Sequence, residues 1–306
     1  MGVIEVDGLR KEYRQGRNRT VVALEDLNLD VPSGGVFGFL GPNGSGKTTT
    51  IRCLLGLARP TSGRCRVLVV DATRDFALVQ RRVGAVIESQ ALFGGFSGRR
   101  NLELLAATYG LPRRAIDGAL ARVDLADRAD DVVATYSLGM RQRLGLAAAL
   151  LKDPEVLILD EPGNGLDPSG IRDVRNLMLG LGDEGRTVFV SSHVLAEVQV
   201  LCDRVAVLAH GRCVTAGTVD EVLAAAGSAG VIVRLDDVAD GVAALVGAGL
   251  TASPDGDSIR VDIPIAEAAR VAEILARHGI WHRELRPAGT TLEEAFLTLT
   301  EDQDSE

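Results

Sequence analysis

Gly41-Pro42-Asn43-Gly44-Ser45-Gly46-Lys47-Thr48 follows the apolar run 36–39 and opens a helical pattern near Lys47. The octet fits G-x-x-x-x-G-K-[ST] in the strand–turn–helix setting that gives this pattern its meaning. Glycines at 41, 44 and 46 let successive backbone N–H groups face one anion, and the helix N-terminus adds its positive end. Lys47 is placed to reach the β- and γ-phosphates of a nucleotide. Thr48, with Thr49 beside it, offers a hydroxyl to Mg²⁺. A nucleotide-binding α/β domain is therefore the expectation for what surrounds this stretch.

Outward from the loop, apolar runs of strand length at 83–86, 156–159, 187–190 and 204–208 alternate with helical patterns at 101–109, 113–123, 141–151, 169–181 and 194–202. Such alternation predicts a largely parallel core sheet. Ahead of the loop, runs 3–6, 21–23 and 27–31 read as short strands parted by polar turns. The run 156–159 ends in Asp160-Glu161. Ligands gather at the carboxyl ends of strands in open α/β sheets. One carboxylate, Asp160, is needed to hold Mg²⁺, and the second, Glu161, can accept a proton from an attacking water. Two adjacent acids repel each other, so structure alone gives no reason to end a strand this way. Loop and acids together predict nucleotide triphosphate hydrolysis.

The length of 306 residues suggests about two domains, and 46% hydrophobic residues suffice for a sizeable core. The net charge of −9 argues against a broad grip on nucleic acid or anionic lipid, both of which need a basic footprint. Only Lys11, Lys47 and Lys152 are lysines among 33 cations, so arginine is the default cation and each lysine calls for a reason. Cys53, Cys65, Cys202 and Cys213 lack metal-ligand spacing and read as free thiols. The N-terminus has no signal-peptide pattern, and no apolar run approaches the ~20 residues that cross a bilayer, so the chain is not expected to span a membrane by itself.

Small residues at 224–230 read as a linker, dividing a domain at 1–223 from an accessory domain at 231–306. In the second part the order strand, helix, strand, strand, helix, strand predicts a small α+β, ferredoxin-like fold, followed by an amphipathic helix at 292–300. His278, Trp281 and His282 are close in sequence but carry no catalytic constellation, because neighbours on a strand point to opposite faces.

Tyr136-Ser137-Leu138-Gly139-Met140-Arg141-Gln142-Arg143 begins a helix shortly before Asp160. A serine hydroxyl and a glycine N–H at a helix start make a second anion site. Here the chain resembles the ATP-binding subunits of ABC transporters, whose signature usually reads LSGGQ-x-Q-R. Ser137 and Gly139 match it, whereas Tyr136, Leu138 and Met140 depart. The resemblance implies a P-loop ATPase fold with a mixed sheet core, an antiparallel β subdomain and a helical subdomain. It also implies ATP and Mg²⁺ as ligands, and a head-to-tail dimer in which Ser137, Gly139 and Met140 bind the γ-phosphate held by the other subunit. By the same likeness, Asn164-Gly165-Leu166-Asp167 is the D-loop, with Gly163 where serine or threonine is commoner. His193 is the switch histidine, and Tyr13 stacks on adenine, with core packing as its other reading. The glutamine that touches Mg²⁺ in the family falls on Glu88, with Gln90 two residues late; the register from Val83 favours Glu88. Leu92, Phe93 and Phe96 read either as anchors for a membrane partner or as local packing.

The segment Thr290-Thr291-Leu292-Glu293-Glu294-Ala295-Phe296-Leu297 is similar to the tail of drug-export ATPases of the bacitracin and daunorubicin resistance type. The resemblance thus implies an exporter subunit at the cytoplasmic face of a bacterial membrane. It would work as a homodimer with a separate integral-membrane permease and without nucleic acid. A partnerless ABC-type ATPase is the second reading. Translation factors of the superfamily carry two such domains, and repair proteins insert long coiled coils for which 47–160 has no room. A P-loop kinase or GTPase is a third, disfavoured by the signature segment, His193 and the lack of an N-K-x-D motif.

Overall fold

The chain's internal contacts divide it into two units, Met1–Val219 and Asp220–Glu306. The computed structural model describes residues 2–15, 19–87, 92–225, 230–264 and 267–288. The first unit begins with β1 (Ile4–Gln15), β2 (Arg19–Val31), β3 (Gly35–Leu40), α1 (Lys47–Leu54), β4 (Ser62–Val67), β5 (Val70–Asp71) and β6 (Val83–Val86). Helices α2 (Gly98–Tyr109), α3 (Arg113–Arg122) and α4 (Leu138–Leu150) follow. The unit continues through β7 (Val156–Asp160), α5 (Pro168–Asp183), β8 (Thr187–Ser192), α6 (Leu195–Leu201), β9 (Arg204–Ala209) and β10 (Arg212–Thr218).

One six-stranded sheet runs β10-β9-β3-β8-β7-β6, with every pair parallel except the edge strand β10 against β9. Its central strands are buried along their length, all five residues of β7 and all six of β8 included. That accounts for their near-continuous apolar sequence, as helices cover both faces of a parallel sheet. Phe189 fixes the centre, with ring centroids 5.9 Å from Phe37 and 5.3 Å from Phe39.

A second, antiparallel sheet runs β2-β1-β4-β5. The short strands expected at 3–6, 21–23 and 27–31 are parts of two long ones. Their alternation is interrupted by register shifts between Val6 and Leu9 and between Leu9 and Lys11. Gly8 and Asp26 sit there in the left-handed region, at φ 54° and 55°. An inserted residue reverses which side chains face the core. β4 escaped the sequence reading because only Cys65 and Val67 of its six residues are buried.

Two helices start earlier than expected. Ser97 caps α2 by accepting from Arg100 N, and Ser137 caps α4 by accepting from Met140 N, each at 3.2 Å. Apolar periodicity sets in only after the cap, so the pattern alone placed the starts at 101 and 141.

The second unit comprises α7 (Val219–Ala225, which opens at the division), β11 (Val231–Leu235), α8 (Val238–Gly247), β12 (Thr251–Asp255), β13 (Ser258–Asp262), α9 (Ala268–Arg277) and β14 (His282–Pro287). The sheet order β12-β13-β11-β14, antiparallel throughout, is the split ferredoxin-like arrangement. Val231, Val233, Ile259 and Val261 from the sheet pack with Leu245, Val271 and Leu275 from the helices. The helix expected at 292–300 lies outside the described residues.

All four cysteines are free. Burial pushes the Cys53 thiol up to about 11 and the Cys65 thiol up to about 12, so both are protonated thiols at neutral pH.

Candidate active site

Strand register assembles the site. Phe39 of β3 lies opposite Ser191 of β8, and Ser191 lies opposite Asp160 of β7. The carboxyl ends of β3, β8 and β7 are therefore level, and the segments that follow them — the glycine loop, His193 and Glu161 — emerge side by side.

In the loop from Gly41 to Thr48, Pro42, Asn43 and Gly44 are exposed, Gly41, Ser45 and Lys47 are buried, and Gly46, Thr48 and Thr49 lie between. Gly44 and Gly46 take φ of 84° and 111°, conformations that disfavour a side chain. At Gly46 a Cβ would stand 2.6 Å from Leu24 Cδ2 and 2.7 Å from Ala23 O, so the loop is pressed against β2. Lys47 Nζ donates to Gly41 O at 2.7 Å and Pro42 O at 3.2 Å, and lies 3.3 Å from Glu161 Oε1. The buried Ser45 hydroxyl has no partner among the described residues, which marks the loop as built around a polar ligand.

Asp160 is 6% exposed. Its Oδ2 accepts from Thr48 Oγ1 at 2.7 Å, and its Oδ1 accepts from Ser191 Oγ. Glu161 adopts φ 49°, an unusual value for a non-glycine residue and one that costs about 1–2 kcal/mol. Its N–H donates to Ser191 O at 3.2 Å and to Ser191 Oγ at 3.0 Å. The side chain turned out by this backbone bridges Lys47 through Oε1 and His193 through Oε2, 2.7 Å from Nδ1. Lys47, Glu161 and His193 thus form one chain of contacts, at the rim of which His193 is exposed.

The donor set suits Mg²⁺ held jointly with phosphates. Thr48 and Asp160 supply a hydroxyl and one carboxylate, and no group of three or more acidic, histidine or cysteine residues forms a cage among the described residues. Mg²⁺ keeps several waters and takes one or two carboxylates plus substrate phosphates. Glu88 and Gln90, the two alternatives for a further metal contact, lie outside the described residues.

Ser137, Gly139 and Asp167 line a different hollow of about 370 Å³. Ser137 Oγ accepts from Met140 N, and its O–H remains to donate. Asp167 caps α5 by accepting from Gly170 N at 2.9 Å, with Pro168 at the first helical position. Gln142 Nε2 donates to Asn164 O at 2.8 Å and joins the signature helix to the segment leading to Asp167. Tyr136, where the family carries leucine, is 2% exposed and donates to Arg128 O at 2.6 Å; burial raises its pKa. The departure is a packing device.

Tyr13 is on the surface, which removes its core-packing reading. Lys11 Nζ sits 4.8 Å from its ring centroid and donates to Arg59 O. Lys11 pairs with Leu24, the residue against Gly46, and Tyr13, two residues further along β1, pairs with Val21, also on β2. Phe93 and Phe96 are exposed and pack on each other at 5.7 Å, while buried Asn101 holds their loop by accepting from Phe93 N and donating to Phe93 O and Ser97 O. In the second unit Trp281 and His282 are exposed and His278 Nδ1 donates to Ile274 O.

Sequence reasoning missed Ser191 and Gln142. Ser191-Ser192-His193 was the only local signal for the former, and the cross-strand register that places it on Asp160 cannot be read from one strand. Gln142 sits inside the quoted signature, but its partner Asn164 is set by tertiary packing.

Comparison with known proteins agrees with this geometry. The family model for "ABC transporter" matches residues 24–164. The ABC transporter ATP-binding protein YhcH of Bacillus subtilis is 38% identical over 301 residues, covering 97% of this chain and 96% of its own length. The daunorubicin/doxorubicin resistance ATP-binding protein DrrA of Streptomyces peucetius is 37% identical, covering 97% and 92%. The bacitracin transport ATP-binding protein BcrA of Bacillus licheniformis is 42% identical, covering 69% and 68%. Among solved structures, cbiO1 of Clostridium perfringens, part of the ABC transporter complex cbiONQ, superposes with TM-score 0.65 at 30% identity, covering 73% of this chain and 91% of that one. A dimeric bacterial ABC transporter cassette, MJ0796, superposes with TM-score 0.64 at 25% identity, covering 70% and 98%. With a full-length relative at this identity and a nucleotide loop, an acid pair and a signature segment set as described, the chain belongs to the ABC transporter ATP-binding proteins and is an ATPase of that family.

Proposed function

We propose that the protein powers export of an antibiotic-like small molecule through a separate membrane permease, as a head-to-tail dimer that closes on two ATP molecules with Mg²⁺. The observation that carries this reading is full-length likeness to a daunorubicin/doxorubicin resistance ATP-binding protein, DrrA, whose alignment takes in the second unit as well as the ATPase unit. No helix among the described residues is long and apolar enough to cross a membrane, so the path for the cargo is assigned to a partner. The exposed Phe93–Phe96 pair on the rigid support of Asn101 is the anchor we assign to that partner, at the cytoplasmic face.

In this reading Lys47 exchanges its contacts with Gly41 O, Pro42 O and Glu161 for the β- and γ-phosphates, and the loop amides from Gly46 to Thr49 complete the cradle. Thr48 and Asp160 hold Mg²⁺, which when bound neutralises developing phosphate charge. Freed of Lys47, Glu161 accepts the proton of the attacking water, while His193 keeps its carboxylate oriented and reaches the γ-phosphate. Ser137 and Gly139 present the donor O–H and a helix-start amide to nucleotide on the opposite subunit while Met140 N–H holds the Ser137 hydroxyl in place, Asp167 fixes the adjoining turn, and Tyr13 stacks on adenine with Lys11 behind its ring.

Expression with its neighbouring genes and purification from detergent-solubilised membranes tests the reading. One integral-membrane protein should co-purify, and its cargo should stimulate ATP hydrolysis. A fully active ATPase that is recovered only in the soluble fraction, without such a partner, would overturn it.

A further inference from the structure

We propose that Ser191 is a positioning residue for hydrolysis, one hydroxyl that sets both the metal-binding carboxylate and the backbone of the general base. This rests on the assignment of Asp160 and Glu161 made above. Ser191 is 0% exposed and lies directly opposite Asp160 in the β7–β8 ladder. The ladder itself asks only for its backbone, and Glu161 N already donates to Ser191 O. The side chain adds two bonds that no ladder requires: Ser191 Oγ accepts from Glu161 N at 3.0 Å and donates to Asp160 Oδ1. Phe189, two residues earlier on the same face of the strand, is buried and apolar, so the strand itself does not call for a hydroxyl there.

The two bonds act on different problems. Asp160 accepts one hydroxyl on each carboxylate oxygen, Thr48 on Oδ2 and Ser191 on Oδ1, so the plane of the carboxylate is fixed from both sides. An ionised carboxylate can only accept, and two donors also offset its repulsion by Glu161 next in sequence. Glu161, at φ 49° and followed by Pro162, is in a conformation that persists only where surrounding contacts hold it. The second acceptor for its N–H is that contact. Removing one oxygen atom therefore releases the metal ligand and the base together, although Ser191 touches neither nucleotide nor water in this assignment.

The test uses the full chain with Ser191→Ala and Ser191→Cys, the latter keeping volume with a weaker donor. ATP affinity is read by displacement of a fluorescent ATP analogue, once in EDTA and once across a Mg²⁺ titration, alongside kcat, KM and the melting temperature. For Ser191→Ala we expect affinity in EDTA within about twofold of wild type, a Mg²⁺ requirement raised about tenfold and kcat lowered at least tenfold, as is typical when a partner of a metal ligand is lost. Ser191→Cys falls between and carries the same measurements if the alanine variant does not fold. Wild-type Mg²⁺ dependence and kcat in the folded variant would overturn the inference, as would a lowered melting temperature with both unchanged, which marks a purely structural hydroxyl. Loss of Mg²⁺-dependent binding in the wild type would instead overturn the assignment on which the inference rests.

Discussion

Replacing Gly46 by alanine, with Gly44→Ala as its control, separates two reasons for a glycine in the phosphate loop. Both residues have left-handed φ, 111° and 84°, and an L-residue there costs about 1–2 kcal/mol. At Gly44 nothing lies within 4 Å of a new Cβ, so strain is the whole effect. At Gly46 the Cβ meets Leu24 Cδ2 at 2.6 Å and the backbone oxygen of Ala23 at 2.7 Å, and the backbone oxygen cannot retreat without moving β2. Overpacking of this kind adds about 1–3 kcal/mol. For a unit of this size 1 kcal/mol corresponds to about 2–4 °C in melting temperature. Without nucleotide, Gly44→Ala should melt about 2–8 °C below wild type, and Gly46→Ala a further 2–12 °C or so below that. Displacing the loop from β2 also moves Lys47, so the thermal shift produced by ATP should vanish in Gly46→Ala. Circular dichroism melts of the full chain with and without ATP read both effects. Equal melting of the two variants, or an undiminished ATP shift in Gly46→Ala, would refute the argument that β2 braces the loop.

Lys47→Arg should not behave as a conservative change. Lys47 is 6% exposed with three acceptors around a single ammonium, and a planar guanidinium cannot reproduce that arrangement. ATP affinity should fall by at least about tenfold, some 1.4 kcal/mol, in a fluorescence displacement assay. Tyr136→Phe removes the hydroxyl that donates to Arg128 O and leaves that carbonyl with its single bond from Asp131 N. The expected loss is about 1 kcal/mol, measured by urea denaturation.

The sequence disclosed most about features whose physics is local. The octet from Gly41 to Thr48 contains its own turn, and the apolar run before Asp160 announces a buried strand, so loop and acids could be named without coordinates. Features set by distant residues were hidden. Ser191 matters because three strand ends are level, a property of register between β3, β8 and β7. The long strands β1 and β2 were fragmented because their bulges reverse the alternation that a reader of pattern relies on. Tyr136 looked like an oddity of the signature, and only its burial against Arg128 and Gly98 shows it as core. The surface position of Tyr13 likewise depends on which face of a bulged strand it occupies.

Single-turnover and steady-state hydrolysis by Glu161→Gln tests the central claim most directly. Glu161 is held between Lys47 and His193 at the end of β7 and is assigned as the base. The amide keeps the shape of the side chain and removes its ability to take a proton. The variant should bind ATP with Mg²⁺ at near wild-type affinity, elute as a closed dimer when ATP is present, and turn over about 10²–10⁴-fold more slowly. Wild-type turnover in Glu161→Gln would contradict the account and remove Glu161 from the base role.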